Sequence, residues 1–266
     1  MTTEHHIRDL DEAHRAPTIV LVPGLDGTAL LFYRQQPLLA RQFNVVAFPL
    51  PDDPDAGMDD LVDDLAQLAE ELDEDGVILL GESFGGALAM STALAHPELV
   101  RGLIIVNSFP YIERRLQLRL APLLLRAVPA PAMAAVRRIT ESRMHSPHVD
   151  DEDLREFHER SKQIGRRGYR RRLEILHHYD IRGRLMEIDT PTLFLAGTED
   201  RLLPSVGWAD FMRERVPDSD MVLLDGYGHI CLINHDLDLL DHVGPWWKGV
   251  IEDLPRPTPS PTRPPD

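Results

Sequence analysis

The chain has 266 residues, 43% of them hydrophobic, and a formal net charge of −16. That length buries a large core and fits one α/β domain carrying an insertion better than two independent domains; the acidic balance argues against a nucleic-acid partner, and Cys231, the single cysteine, excludes an internal disulfide. No apolar run approaches the roughly 20 residues of a membrane helix and the N-terminus lacks a signal-peptide apolar stretch, so a cytoplasmic location is the expectation, while composition leaves the oligomeric state unknown.

Residues 1–16 are polar and aperiodic, a loose lead-in. The core is expected over residues 17–109 and 188–252. Thr18 to Val22 reads as a buried strand, ending at the glycine-rich turn Pro23-Gly24-Leu25-Asp26-Gly27-Thr28, which leads into an apolar helical stretch. Asn44 to Leu50 reads as a second strand. Met58, Leu61, Val62, Leu65, Leu68, Ala69 and Leu72 then recur at three- and four-residue steps, the mark of an amphipathic helix, with Asp59, Asp60, Asp63 and Asp64 on its wet face. Val77 to Leu80 is apolar without alternation, as in a parallel strand covered on both faces, and Ala87 to Ala95 reads as the helix after it. Arg101 to Asn107 is a further strand, so strand and helix alternate and the sheet is parallel.

From Phe109 to about Glu187 the chain becomes rich in Arg, Leu and Pro, with no convincing strand. Helical patches are expected at Leu116 to Val128, at Asp150 to Ile164 with Asp150 as N-cap, and at Tyr169 to Tyr179. We read residues 110–187 as a helical lid inserted between two strands. Residues 110–186 hold 17 Lys+Arg against 10 Asp+Glu, leaving 11 against 34 elsewhere. The arginines Arg114, Arg115 and Arg119, and Arg166, Arg167, Arg170, Arg171 and Arg172, are expected to serve either internal charge pairing or an entrance attractive to anionic substrates or a lipid surface. Alternation then resumes with a strand at Thr192 to Ala196, a helix at Val206 to Val216 and a last strand at Met221 to Leu224. His235 and His242 are expected in a C-terminal helix, and residues 253–266 in a disordered Pro-rich tail.

The chemistry is concentrated in Gly81-Glu82-Ser83-Phe84-Gly85, a Gly-x-Ser-x-Gly pattern at a strand-to-helix junction. There the turn forces the serine into strained backbone angles and projects its hydroxyl above the sheet. A serine hydroxyl needs a base, and the base needs a carboxylate to fix its tautomer. His229, following a strand and Tyr227-Gly228, is the candidate base. Asp200, in Gly197-Thr198-Glu199-Asp200, is the candidate acid, with Glu199 and Asp225 as rivals. The N–H groups of Leu25 and Phe84 are the candidate oxyanion donors. The histidine groupings His145/His148 and His177/His178 lack a convincing third ligand, so neither a metal nor a cofactor is expected.

With the elbow, the acid turn and the histidine loop in the order Ser, Asp, His, the stretch from about Pro17 to Val250 resembles the α/β-hydrolase fold superfamily of serine esterases, lipases and thioesterases. The turn Pro23 to Thr28 together with Gly81 to Gly86 resembles the hydrolase part of the phytyl ester synthase group, although Ala29 stands where those proteins often have glycine. Their added acyltransferase region carries a His-x4-Asp motif; the chain is too short for that region, and the spacing recurs at both His6 to Asp11 and His145 to Asp150. The resemblance implies a mostly parallel sheet with helices on both faces, and a small-molecule ester or thioester cleaved through an acyl-serine. Transfer of the acyl group to an alcohol is the alternative, and a low-turnover ligand-binding or signalling protein a third reading. Serine at position 83 excludes the alkyl-enzyme chemistry that needs a carboxylate there.

Overall fold

The computed structural model describes residues 16–73, 75–112 and 143–251, without the side chains of 250 and 251. Six strands form one wholly parallel sheet in the order β2-β1-β3-β4-β5-β6: β1 Thr18–Val22, β2 Asn44–Ala47, β3 Val77–Glu82, β4 Val100–Val106, β5 Thr192–Gly197 and β6 Ser219–Leu224. Every residue of β1, β3 and β5 is buried, whereas β2 and β6, at the edges, are partly exposed. The unalternating apolar runs follow from this, since the period-2 pleat sends successive side chains into two separate cores. Ile19, Leu21, Ile78 and Leu80 enter one core; Val20, Val22, Leu79 and Phe84 enter the other.

The helices are α1 Gln35–Leu39, α2 Met58–Leu72, α3 Phe84–Ala95, α4 Asp151–Ser161, α5 Arg166–Leu176, α6 Ser205–Arg213 and α7 Leu240–Trp246. In α2, Leu61, Val62, Leu65, Ala66 and Ala69 are buried. Its acidic residues are exposed, and one of them also closes the helix start, where Asp60 accepts the Gly57 N–H at 2.7 Å. Helix α3 is apolar almost all round because it is enclosed between the sheet and α2. At α4, Asp150 is the N-cap, accepting the Asp153 N–H at 2.7 Å.

Element boundaries move in places. The second strand stops at Ala47 rather than Leu50, where Pro49 and Pro51 end the ladder. The third expected helical patch begins earlier, at Arg166, because Asp52 accepts the Gly168 N–H at 2.5 Å and so caps the new first turn from outside. The C-terminal helix starts only at Leu240, so His235 lies in the preceding turn and His242 in the helix. The buried loop before α7 is sustained by Gln35, whose side chain donates to Leu232 and Leu237 carbonyls and accepts from the Leu239 N–H. The patch at Leu116 to Val128 and the arginines Arg114, Arg115 and Arg119 lie outside the described residues. Within the described part of the inserted segment there are only isolated bridges, Tyr111 to Asp180 and His145 to Ile230. Among the described residues no helix is long and apolar enough to cross a membrane.

The strand order locates the site. The chain leaves β1 for β2 on one side and then returns to place β3 on the other, so connections diverge between β1 and β3. In parallel sheets the crevice at such a switch, at the carboxyl ends of the strands, is where ligands are held. The turn after β1 is Pro23 to Thr28, and β3 passes into α3 at Ser83.

Candidate active site

Ser83 has φ 54° and ψ −116°, a strained conformation for a residue bearing a Cβ. The elbow is held by close backbone approaches that leave no space for side chains. A Cβ on Gly81 would collide with the backbone of Gly85, and one on Gly85 would collide with the carbonyl of Val22 in β1. The Ser83 N–H donates to the Val106 carbonyl at 2.9 Å, and Ser108 Oγ donates to the Ser83 carbonyl at 2.7 Å.

The structure brings Ser83, His229 and Asp200 into one hydrogen-bonded line. His229 Nε2 lies 3.0 Å from Ser83 Oγ, and His229 Nδ1 lies 2.7 Å from Asp200 Oδ2. The Asp200 side chain is buried, yet four groups bond to it: the N–H groups of Leu202 and Leu203, each at 2.9 Å on Oδ1, the Ser205 hydroxyl on Oδ2, and the imidazole. Burial alone would raise its pKa; the hydrogen bond and charge of His229, with Leu203 and Ser205, outweigh that and hold it below the usual carboxylate value. An ionised carboxylate only accepts, so Nδ1 carries the proton and Nε2 offers its lone pair to the Ser83 hydroxyl. Burial depresses the imidazole pKa, but the Asp200 contact and the Glu82 charge together reverse this and raise it. The rivals for the acid lie elsewhere: Glu199 pairs with Arg201 at 2.9 Å, and Asp225 accepts from Thr198 at 3.3 Å.

A second carboxyl was legible only as a letter inside the motif. Glu82 is buried, with Oε1 3.9 Å from His229 Nε2, and burial beside Asp26 and Asp200 raises its pKa to about 7 despite the nearby imidazole and the Gly24 N–H.

The turn after β1 is fixed from behind. Arg172 of α5, almost fully buried, donates Nε to the Leu25 carbonyl at 3.1 Å, Nη1 to Pro51 at 3.1 Å and Nη2 to Asp26 at 3.4 Å. The Gly27 carbonyl takes the Leu50 N–H at 2.7 Å, and Gly27 itself has φ 71° against the guanidinium. The three consecutive carbonyls of Leu25, Asp26 and Gly27 are thereby engaged. Neither the Leu25 nor the Phe84 N–H has a backbone acceptor among the described residues. Of the two roles expected for this arginine group, internal pairing or an entrance charge, Arg172 takes an internal one, with carbonyl partners. Arg171 also binds inward, to the Ala56 carbonyl at 2.8 Å, and pairs with Glu174. Arg166, Arg167 and Arg170 remain exposed, with no ion-pair partner among the described residues.

Among the other histidines, His145 packs on Phe157 and His148 pairs with Asp236 at 3.3 Å. Asp150, Asp153 and His235 converge closely enough to suggest ligands. Asp153, however, already binds Arg34, Tyr33 and the His235 N–H, which makes the cluster a tie between α4 and the body.

A parallel sheet with a strained serine at the switch point, aligned with a carboxylate and an imidazole from the ends of β5 and β6, defines an α/β hydrolase fold. The chain belongs to the alpha/beta hydrolase family, whose model matches residues 19–241. It is similar to proteins named carbamate hydrolase RutD: 32% identical over 205 residues in Serratia proteamaculans, covering 71% of this chain and 75% of the relative, and 26% identical over 228 residues in Agrobacterium fabrum, covering 80% and 86%. Among solved structures, a carboxylesterase from the thaumarchaeon Nitrososphaera gargenis superposes with a TM-score of 0.73 at 22% identity, covering 90% of this chain and 93% of the other. MenH from S. aureus gives 0.68 at 18% identity, covering 89% and 95%. These two structures carry the fold alone.

Proposed function

We propose that this hydrolase cleaves a carboxylic ester or thioester through an acyl-serine intermediate, with Ser83 as nucleophile, His229 as base and Asp200 as the carboxylate that orients it. The observation that carries this is the continuous line from Ser83 Oγ through the imidazole to Asp200, at 3.0 and 2.7 Å. His229 Nε2 takes the hydroxyl proton as Oγ attacks the substrate carbonyl; the oxyanion forms toward the N–H groups of Leu25 and Phe84. The imidazolium, stabilised by Asp200, then protonates the leaving alkoxide or thiolate. Water repeats the sequence and frees the acid.

The name of the similar proteins favours one second reading, a carbamate in place of the ester, which would use the same serine and the same proton path. Helices α4 and α5, with Arg172 reaching the turn after β1, support a cap that governs what reaches Ser83. Purified protein should hydrolyse p-nitrophenyl esters with a dependence on acyl length, and Ser83→Ala should lower kcat by roughly 10⁶-fold without unfolding. Parallel assays with a long-chain alcohol and with a p-nitrophenyl carbamate divide hydrolysis from acyl transfer and ester from carbamate. Equal turnover by wild type and Ser83→Ala would overturn the proposal.

A further inference from the structure

The turns bearing Ser83, Asp200 and His229 leave three different strands, β3, β5 and β6, and β4 lies between the first two. Residues 106–108, at the end of β4, touch all three turns. Val106 and Ser108 hold the Ser83 backbone, as described above. Asn107 between them has φ 46°, a left-handed conformation that asparagine tolerates better than most residues. Its N–H donates to the Leu195 carbonyl at 2.9 Å, which continues the ladder to β5, while the unusual φ turns its side chain across the ends of β5 and β6.

There the carboxamide uses both of its ends. Nδ2 donates to the Gly228 carbonyl at 3.0 Å and the His229 carbonyl at 2.8 Å; Oδ1 accepts the Gly197 N–H at 2.8 Å. The amide orientation is fixed by these partners, since two carbonyls demand donors and one N–H demands an acceptor. Asn107 is 1% exposed, so water offers these groups no replacement. The backbone also joins the two loops, Glu199 N–H to Tyr227 carbonyl at 2.9 Å, but that bond ends two residues short of the imidazole.

We propose that Asn107 is a positioning residue that locks the His229 loop to the Asp200 loop and thereby sets the Nδ1 to Asp200 contact. The inference rests on the triad reading given above. One planar group bonded to both loops adds to the Glu199–Tyr227 bond a tie at His229 itself. Its influence reaches the reacting atoms through the imidazole alone.

Asn107→Gly is the cleanest test, because glycine accepts the positive φ while the carboxamide is lost. Asn107→Asp keeps the shape and the acceptor for Gly197 but sets a carboxylate against two carbonyls. On a p-nitrophenyl ester, Asn107→Gly should lower kcat about 10- to 100-fold, the scale of a misplacement near 1 Å, with KM within about twofold. Active-site concentration by fluorophosphonate titration should stay near that of the wild type. The groups facing the imidazole are Asp200 and Glu82. A looser Asp200 contact lowers the imidazole pKa, so the acid limb of kcat/KM should move to lower pH in Asn107→Gly; Asn107→Asp, whose added charge opposes that shift, should lose more kcat per titrated site than Asn107→Gly and stands in for the kcat readout should the glycine variant fail to fold. Wild-type kcat per titrated site and an unmoved limb would overturn the inference, whatever the melting temperature. Should the wild type turn over none of these esters, the functional proposal fails separately; the His229 ring titration by NMR then decides between a lower pKa in Asn107→Gly, as the inference requires, and an unchanged one, which refutes it.

Discussion

Asp200 and His229 are coupled by a buried hydrogen bond, and the coupling has a readable sign. In the proposed mechanism the imidazole must be neutral to accept the serine proton, and its pKa is raised above the ordinary value near 6.5. Activity should therefore be full above the raised pKa and lost as pH falls through it, which puts the acid limb of kcat/KM above pH 6.5. Asp200→Asn should cost roughly 10⁴-fold in kcat by favouring the wrong tautomer. Glu199→Gln and Asp225→Asn, which change carboxylates bonded to Arg201 and Thr198, should cost less than tenfold by the same assay. A comparable loss in either variant would move the acid. The spacing Gly-Thr-Glu-Asp could not by itself separate Glu199 from Asp200; the N–H groups of Leu202 and Leu203 do, by turning the Asp200 carboxylate inward.

Helix α5 shows where sequence pattern stops being informative at the level of elements. Its run Arg166 to Arg172 leaves internal pairing and an entrance role both open in the sequence, and three of its arginines are exposed. Arg172 is not, because the helical period turns it toward the carbonyls of Leu25, Asp26 and Pro51, 147, 146 and 121 positions away in the chain. No local signal announces such a partner, and the same holds for Asn107 and its bonds to Gly228 and His229, 121 and 122 positions distant. The elbow was legible since its determinants are contiguous: four apolar residues, two glycines that admit no Cβ, and a serine between them. Arg172→Met should leave three carbonyls without donors, at about 1–3 kcal/mol for each that water cannot reach. The variant should lose melting temperature and, because the Leu25 amide is no longer held in place, about 10²-fold in kcat. A fall in melting temperature with wild-type kcat would reduce Arg172 to a structural tie.

At the scale of the whole molecule, and among the described residues, the basic inserted segment meets the body through few of its own charges: Arg171 and Arg172 reach carbonyls of the body rather than carboxylates. Arg34 of the body pairs with Asp153 of the inserted segment, and Arg171 pairs with Glu174 within α5, while Arg166, Arg167 and Arg170 form an exposed group at the start of α5, the helix whose Arg172 touches the turn after β1. We propose that this group attracts anionic substrates or an anionic lipid surface. Arg166→Glu with Arg170→Glu should raise KM for a carboxylate-bearing ester severalfold and leave a neutral ester of equal length unchanged, with added salt reproducing the effect. Equal changes on both esters would remove the role. The architecture itself followed from alternation of apolar runs and amphipathic helices, and the strand order explains why the turns after β1 and β3 meet.

The central claim is that Ser83 attacks carbonyl and phosphonyl centres with His229 as its base. Intact-protein mass spectrometry after brief exposure to a fluorophosphonate tests it most directly. A single adduct mapping to the peptide containing Ser83 in the wild type, absent in Ser83→Ala and greatly slowed in an equally folded His229→Ala, is the predicted result; labelling that persists at the same rate in Ser83→Ala would contradict it.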